Sequence, residues 1–255
     1  MARIIIGYSA CPLTRAAFEE HGHEVYTCDL LPARDAGLFH LKMDIWQAIA
    51  LGGWDFAVLH PMCTYLTCSA AWAFNDPDFD KYPGIGYHQK VKLGTLTGAA
   101  RREAREEALA NFRRLLDLPF PVAIENPGTN FASTAIRKPD QIIQPFQFGD
   151  DASKATGLWL SEGVPELNAT CYIEPRLVCD QRHAFTYGQH KCPQCGSQIF
   201  RPRWANQTDS GQNKHSPSVD RWLLRSETFP GIAAAMGDQW GQWLNHKIHE
   251  QKDIT

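Results

Sequence analysis

No stretch of this chain stays apolar for anything near the roughly 20 residues that a helix needs to cross a bilayer, so a membrane-embedded protein is not expected. The N-terminus, Met1-Ala2-Arg3-Ile4-Ile5-Ile6-Gly7, enters a strand pattern at once. It lacks the longer apolar stretch and cleavage site of a secretory signal, which makes a cytoplasmic location the default expectation. Positive charge is not in excess either: 25 Lys and Arg against 28 Asp and Glu leave a formal charge of −3, so composition alone does not advertise nucleic-acid binding. There is no internal repeat, no low-complexity segment and no GxGxxG loop. The 8 cysteines are too unevenly spread for a disulfide framework, four lying in the first 68 residues and four between Cys171 and Cys195. Reduced thiols, one metal site and one nucleophile are the expected uses.

What is present is an α/β pattern within 255 residues, enough for one large domain carrying a small insertion. Residues 3–7 and 24–29 read as strands around a helix over 12–21, a βαβ opening. Asp55-Phe56-Ala57-Val58-Leu59 and Pro121-Val122-Ala123-Ile124 are almost continuously apolar, as strands buried on both faces of a parallel sheet are. Between them Ala104, Ala108, Phe112, Leu115 and Leu116 recur at helical spacing. Residues 72–98 have little periodicity and read as a long loop with the position of a lid. The strand pattern resumes from Ile142 through Phe146-Gln147-Phe148 and Gly157-Leu158-Trp159-Leu160, and a last helix is expected over 230–246 with Ile232, Met236 and Trp240 on one side. The resulting division is a catalytic core over 1–165, a small insertion over 166–204 and a C-terminal segment over 205–255 that returns to the core.

Two strand ends carry the chemistry. Cys63, in His60-Pro61-Met62-Cys63, follows the third apolar run, and Glu125, with Asn126 and Pro127, ends the next. Open α/β sheets place ligands at such carboxyl ends. A thiolate can add to an electron-poor ring carbon, and a carboxylic acid can protonate the ring nitrogen that receives the displaced electrons. Asn126 could hold that carboxyl by hydrogen bonding. A buried inert thiol and an edge carboxylate before a turn are the plainer alternatives. Upstream, the loop Gly7-Tyr8-Ser9-Ala10-Cys11-Pro12 precedes a helix, Asp29 ends the second strand where a ribose-binding carboxylate sits, and Asp44 could meet an adenine edge. Either aspartate could instead only cap its turn or helix.

Cys192-Pro193-Gln194-Cys195-Gly196 is a zinc knuckle by spacing, and Cys179 with His183 supplies a second pair for a closed structural site. Cys171 and His190 remain possible replacements for one ligand. A redox Cys-x-x-Cys is the rival reading, without a thioredoxin-like helix start beside it. A zinc deaminase is disfavoured because no His-x-Glu accompanies the cysteines. Arg201 and Arg203 follow the module and could touch a nucleic-acid backbone. Pairs such as Arg101-Arg102 read first as solvated helix faces.

The Pro61-Met62-Cys63 and Glu125-Asn126 motifs, in this order, together with the stretch 17–32 and Gln144-Pro145-Phe146-Gln147-Phe148-Gly149, resemble the cytosine-C5 DNA methyltransferases, in particular divergent phage-type members. The resemblance covers roughly residues 3–160 and the last helix. It implies a Rossmann-like methyltransferase sheet, transfer of a methyl group from S-adenosylmethionine, Cys63 as nucleophile, and Glu125 and Asn126 at the ring nitrogen. It also implies a cofactor site at Cys11, Pro12, Asp29, Asp44 and Pro61, and target-base contacts from Lys154 and Thr156. DNA would be the partner and, for a phage-encoded protein, the host cytoplasm the location. Met62 replaces the family's second proline, and Cys11-Pro12 stands where the family usually has glycine. Modification of a free cytosine nucleotide, or a noncatalytic zinc-containing nucleic-acid-binding protein, are the other readings carried forward.

Overall fold

The computed structural model describes residues 1–35, 39–214 and 227–253; part of the C-terminal segment, 215–226 and 254–255, lies outside them. Five parallel strands open the sheet: β1 (Arg3–Gly7), β2 (Glu24–Asp29), β3 (His40–Lys42), β4 (Phe56–Leu59) and β5 (Val122–Pro127). With β6 (Gln141–Ile143) and β7 (Thr156–Leu160) the order is β3-β2-β1-β4-β5-β7-β6, β7 running antiparallel to both neighbours. The bounds read from sequence for β1 and β2 hold, and those for β4 and β5 shift by one to three residues. Strand β3 is too short and too polar for its period to show.

Alternation along β1 explains the layers. Ile4 and Ile6 face one side, where α1 (Leu13–Glu19) places Phe18 and the C-terminal helices α4 (Pro230–Ala235) and α5 (Gly241–Asp253) place Ile232 and Leu244. Ile5 faces the other, with α2 (Ile45–Ala50) and α3 (Gly98–Leu116), whose Leu109, Phe112 and Leu115 are buried. Each fully buried Ile or Phe contributes roughly 1.5–3 kcal/mol relative to exposure.

The C-terminal helix is longer than its pattern suggests and is interrupted by a π-turn, Met236–Trp240, which keeps Met236 and Trp240 buried four residues apart. At its start, a Cβ on Gly231 would lie 1.8 Å from the Phe148 carbonyl oxygen. Only glycine lets this helix abut residues 148–150, which brings Phe229 to the sheet edge. Residues 144–148, expected as strand, form a 3₁₀ turn over Pro145–Gln147 closed by a capping box between Gln144 and Gln147. Residues 72–98 are also better built than a plain loop. A 3₁₀ turn over Ala71–Phe74 sits against α3, and Trp72 meets Tyr87 edge-on at 5.3 Å.

A second, three-stranded sheet in the order β10-β8-β9 comprises β8 (Arg176–Cys179), β9 (Ala184–Phe185) and β10 (Phe200–Arg203), all antiparallel. Its own apolar cluster is small: Leu177, Cys179, Phe185 and Cys192, with Phe200 against them. It joins the large sheet through Trp204, stacked on Phe146 at 4.3 Å, and through bonds from Ser153 N–H to Asn206 and from Ala205 N–H to Asp151. Among the described residues no helix is long and apolar enough to cross a membrane.

Candidate functional site

Parallel pairing of Leu59 with Ile124 puts the ends of β4 and β5 side by side, so the two motifs leave the sheet at one edge. Three bonds knit them. His60 Nδ1 lies 2.9 Å from Glu125 Oε2, Asn126 Nδ2 donates to the Pro61 carbonyl at 2.8 Å, and Phe131 N–H donates to the Leu66 carbonyl at 2.7 Å. After Cys63 the chain makes one helical turn, the N–H groups of Leu66 and Thr67 both reaching the Cys63 carbonyl. Cys63 itself is partly exposed.

Asn126 does not hold the Glu125 carboxyl, as its sequence position suggests. It is 2 % exposed, and its oxygen accepts from Asn130, itself buried, so it locks the two loops together. The residue facing Glu125 across the edge is His60. In an extended strand successive side chains point to opposite faces, so neighbours in sequence cannot share one target. Glu125 instead shares a narrow crevice with Lys154, Thr156, Glu227, Thr228, Phe229 and Ile232, its volume about 10 Å³. That is room for roughly one water. Burial alone would raise the Glu125 carboxyl. The His60 hydrogen bond, the Lys154 charge, the His60 charge and the Thr156 hydroxyl outweigh it and hold Glu125 below the usual glutamate range.

Sequence reasoning missed Arg101. It is buried at 5 % exposure, donates to the Thr64 and Leu96 carbonyls and lies over the Phe74 ring, anchoring the turn that carries Cys63. Arginine pairs on a helix look alike in sequence whether one of them faces a carbonyl or solvent. Only the apolar flank of α3 next to Arg101 hints at it.

At the same edge, Asp29 Oδ1 accepts from Leu31 N–H, and Asp44 caps α2 through Trp46 N–H in a capping box with Gln47. Both carboxylates act on the intervening Cys28 thiol, which burial and then their charges push up to about 11. The Cys28 carbonyl accepts from Ser9 N–H at 3.0 Å, which sets the end of β2 beside the Gly7–Pro12 turn, where Tyr8 takes a left-handed φ of 58° and its hydroxyl accepts from Asn111. Pro12 stands as the residue before α1 without a side-chain cap, and Cys11 is half-buried.

In the small sheet the four expected ligands, Cys179, His183, Cys192 and Cys195, come together with their ligand atoms all within 4.8 Å of one another. Cys179 Sγ and Cys195 Sγ are 3.7 Å apart, and Cys192 Sγ and His183 Nδ1 are 3.8 Å apart. Thiolates about 2.3 Å from one tetrahedral zinc ion would lie about 3.8 Å from each other, so this cluster could hold a zinc ion. The knuckle closes through Gly196 N–H to the Cys192 carbonyl, with Gly196 at φ 73°. Against burial, hydrogen bonds from the backbone of Cys195 and Gln194 pull the Cys192 thiol down to about 6, favouring the ligating thiolate. The alternative ligand Cys171 is exposed and bonded through its backbone to Gln147 and Gly149 instead; His190 is outside the cluster. Arg201 is exposed on β10, while Arg203 is turned onto the Pro202 and Asp209 carbonyls.

The sheet and its carboxyl-edge crevice define an α/β protein with a mostly parallel, Rossmann-like sheet and a Cys3His cluster on an insertion. Compared with known protein families and with curated proteins, the chain matches none.

Proposed function

We propose that this protein transfers a methyl group from S-adenosylmethionine to C5 of cytosine in DNA. The observation that carries the reading is the knitting of Pro61-Met62-Cys63 to Glu125-Asn126 at one sheet edge, through Asn126 to the Pro61 carbonyl at 2.8 Å. A sheet whose chain order reverses beside β1, with an antiparallel strand next to β5, is the arrangement expected of a Rossmann-like methyltransferase. The position of Asp29 at the end of β2, beside the Gly7–Pro12 turn, supports the cofactor assignment.

When bound there, S-adenosylmethionine supplies an electrophilic sulfonium methyl. The Cys63 thiolate adds to C6 of the cytosine while Glu125 supports protonation of N3, which makes C5 nucleophilic. Lys154 and Thr156 line the Glu125 crevice and contact the ring's polar edge. A base in a duplex must first be flipped out, at a cost of a few kcal/mol. Opening of the 227–229 segment would admit it.

The small sheet supports DNA as the substrate. Residues 176–203 carry five cations against one acid, Asp180; Arg176 is paired with Asp209 and Arg203 is turned onto backbone carbonyls, which leaves Arg182, Lys191 and Arg201 for a nucleic-acid backbone. A structural zinc ion in the Cys179–His183–Cys192–Cys195 cluster would present that surface. The test is mass analysis of DNA and of nucleotide pools after incubation with the protein and S-adenosylmethionine. 5-Methylcytosine in DNA is expected, and DNA containing 5-fluorocytosine should trap an adduct on Cys63. A methylated free nucleotide would move the substrate to the small molecule. Cofactor-independent DNA binding without modification would favour the noncatalytic reading.

A further inference from the structure

His60 follows the last residue of β4, and its N–H donates to the Gly7 carbonyl at 3.0 Å, fixing it between the β1 and β5 ends. Its side chain is 9 % exposed. Nδ1 meets Glu125 Oε2, whereas Nε2 is buried without a hydrogen-bond partner. The contact with Glu125 is therefore the hydrogen bond that fixes the ring among the described residues.

Glu125 poses a complementary problem. Its carboxyl is held below the usual glutamate range, so near neutral pH it has no proton to give a ring nitrogen. The group in direct contact with it is the His60 imidazole, 2.9 Å away, a side chain able both to hold and to release a proton. Among the described residues, the other charged groups lining the same crevice are Lys154 and Glu227, and Glu227 is paired with Arg34.

We propose that His60 is a positioning residue that stores the proton Glu125 passes to the pyrimidine ring nitrogen, an inference that rests on the cytosine reading of the site. As the thiolate lone pair forms the S–C6 bond, the C5–C6 π electrons shift through the ring toward N3. The Nδ1–H bond of the imidazolium breaks, the proton crosses the carboxylate, and the N3–H bond forms, leaving His60 neutral and Glu125 ionised. On elimination of Cys63 the proton retraces that route, so no proton is consumed at this pair.

The experiment has two arms on the full chain. First, kcat and KM for DNA methylation are followed against pH in the wild type and in His60→Gln. The wild-type kcat should fall about tenfold per pH unit once the imidazolium loses its proton. His60→Gln should lose 100-fold or more in kcat with KM within about threefold, and should lose that limb. A limb in the lysine range would assign the proton to Lys154 and overturn the proposal, as would an unchanged profile in His60→Gln. Second, side-chain nitrogen NMR of labelled histidines should show a proton on His60 Nδ1 whose titration shifts in Glu125→Gln. A His60 titration indifferent to Glu125 overturns the proposal even if no methylation is found or His60→Gln fails to fold. Absence of methylation with the coupled titration intact defeats only the cytosine reading.

Discussion

The sheet-edge site and the small cysteine-rich sheet both depend on cysteine, but they are held together by different means. At the sheet edge, Cys63 stands on a turn fixed by neighbours that are themselves core: β4 is wholly buried, and Asn126, Asn130 and Arg101 tie the loops to it. The small sheet has an apolar cluster of four buried residues, two of which are the cysteines Cys179 and Cys192. Its thiols replace a core, whereas Cys63 is displayed by one. A burial count would rank Cys192 the more important thiol and Cys63 the less, although the chemistry is assigned the other way round.

The sharpest way to test that contrast is Cys63→Ser. A hydroxyl is a far weaker nucleophile than a thiolate at neutral pH, so methyl transfer should fall below detection. A half-exposed Cys-to-Ser change should leave the melting temperature and the small sheet as they were. Retained turnover would detach the chemistry from this thiol.

Metal removal makes the reverse cut. If zinc occupies the cluster, about one ion per chain should be found by elemental analysis. Structural zinc sites supply roughly 10–16 kcal/mol of apparent binding energy in small modules, far more than the four-residue apolar cluster can replace. Chelation or Cys192→Ser should therefore open residues 171–200 to limited proteolysis while the large sheet stays protected. Equal protection with and without metal would show that the packing of Trp204 on Phe146 suffices.

Much of this contrast is legible in the sequence. The β1 and β2 limits, the two strand-end motifs and all four members of the Cys3His cluster follow from apolar runs and ligand spacing, because those signals are local. The partners of the motif residues do not. His60 meets Glu125, and Asn126 meets Pro61, across 65 residues of chain. Which of two adjacent side chains points where depends on the pleat and register of paired strands. Arg101 is lost for the same reason, its carbonyl partner at Thr64 being set by a loop without periodicity. The Cys192–Cys195 knuckle needs only its own turn, so it shows.

Asn126→Ala tests the knitting itself. It leaves the Pro61 carbonyl and the Asn130 amide without partners in a buried setting, at roughly 1–3 kcal/mol. Methyl transfer should fall because the loops bearing Cys63 and Glu125 lose register, and the metal content should not change. Metal loss in this variant would mean that the two regions are coupled.

The smallest effect expected is on acid stability, and it separates the regions by pH. Glu125 is below its ordinary range in the folded protein, so its contribution is fully present above the unfolded glutamate value of about 4.3. As pH falls through the lower folded value, that contribution is lost, because the unfolded chain binds the proton more readily. Metal ligation requires deprotonated thiols and a neutral imidazole, so protons compete with a metal ion at milder acidity. On acidification the small sheet should therefore release its metal and become protease-sensitive first, with the large sheet following below about pH 4. Glu125→Gln should remove part of the second step's pH dependence and leave the first step in place. Urea unfolding at several pH values alongside metal release would read both steps. A single transition, shifted as a whole by Glu125→Gln, would mean that one cooperative unit holds the nucleophile and the cysteine cluster together.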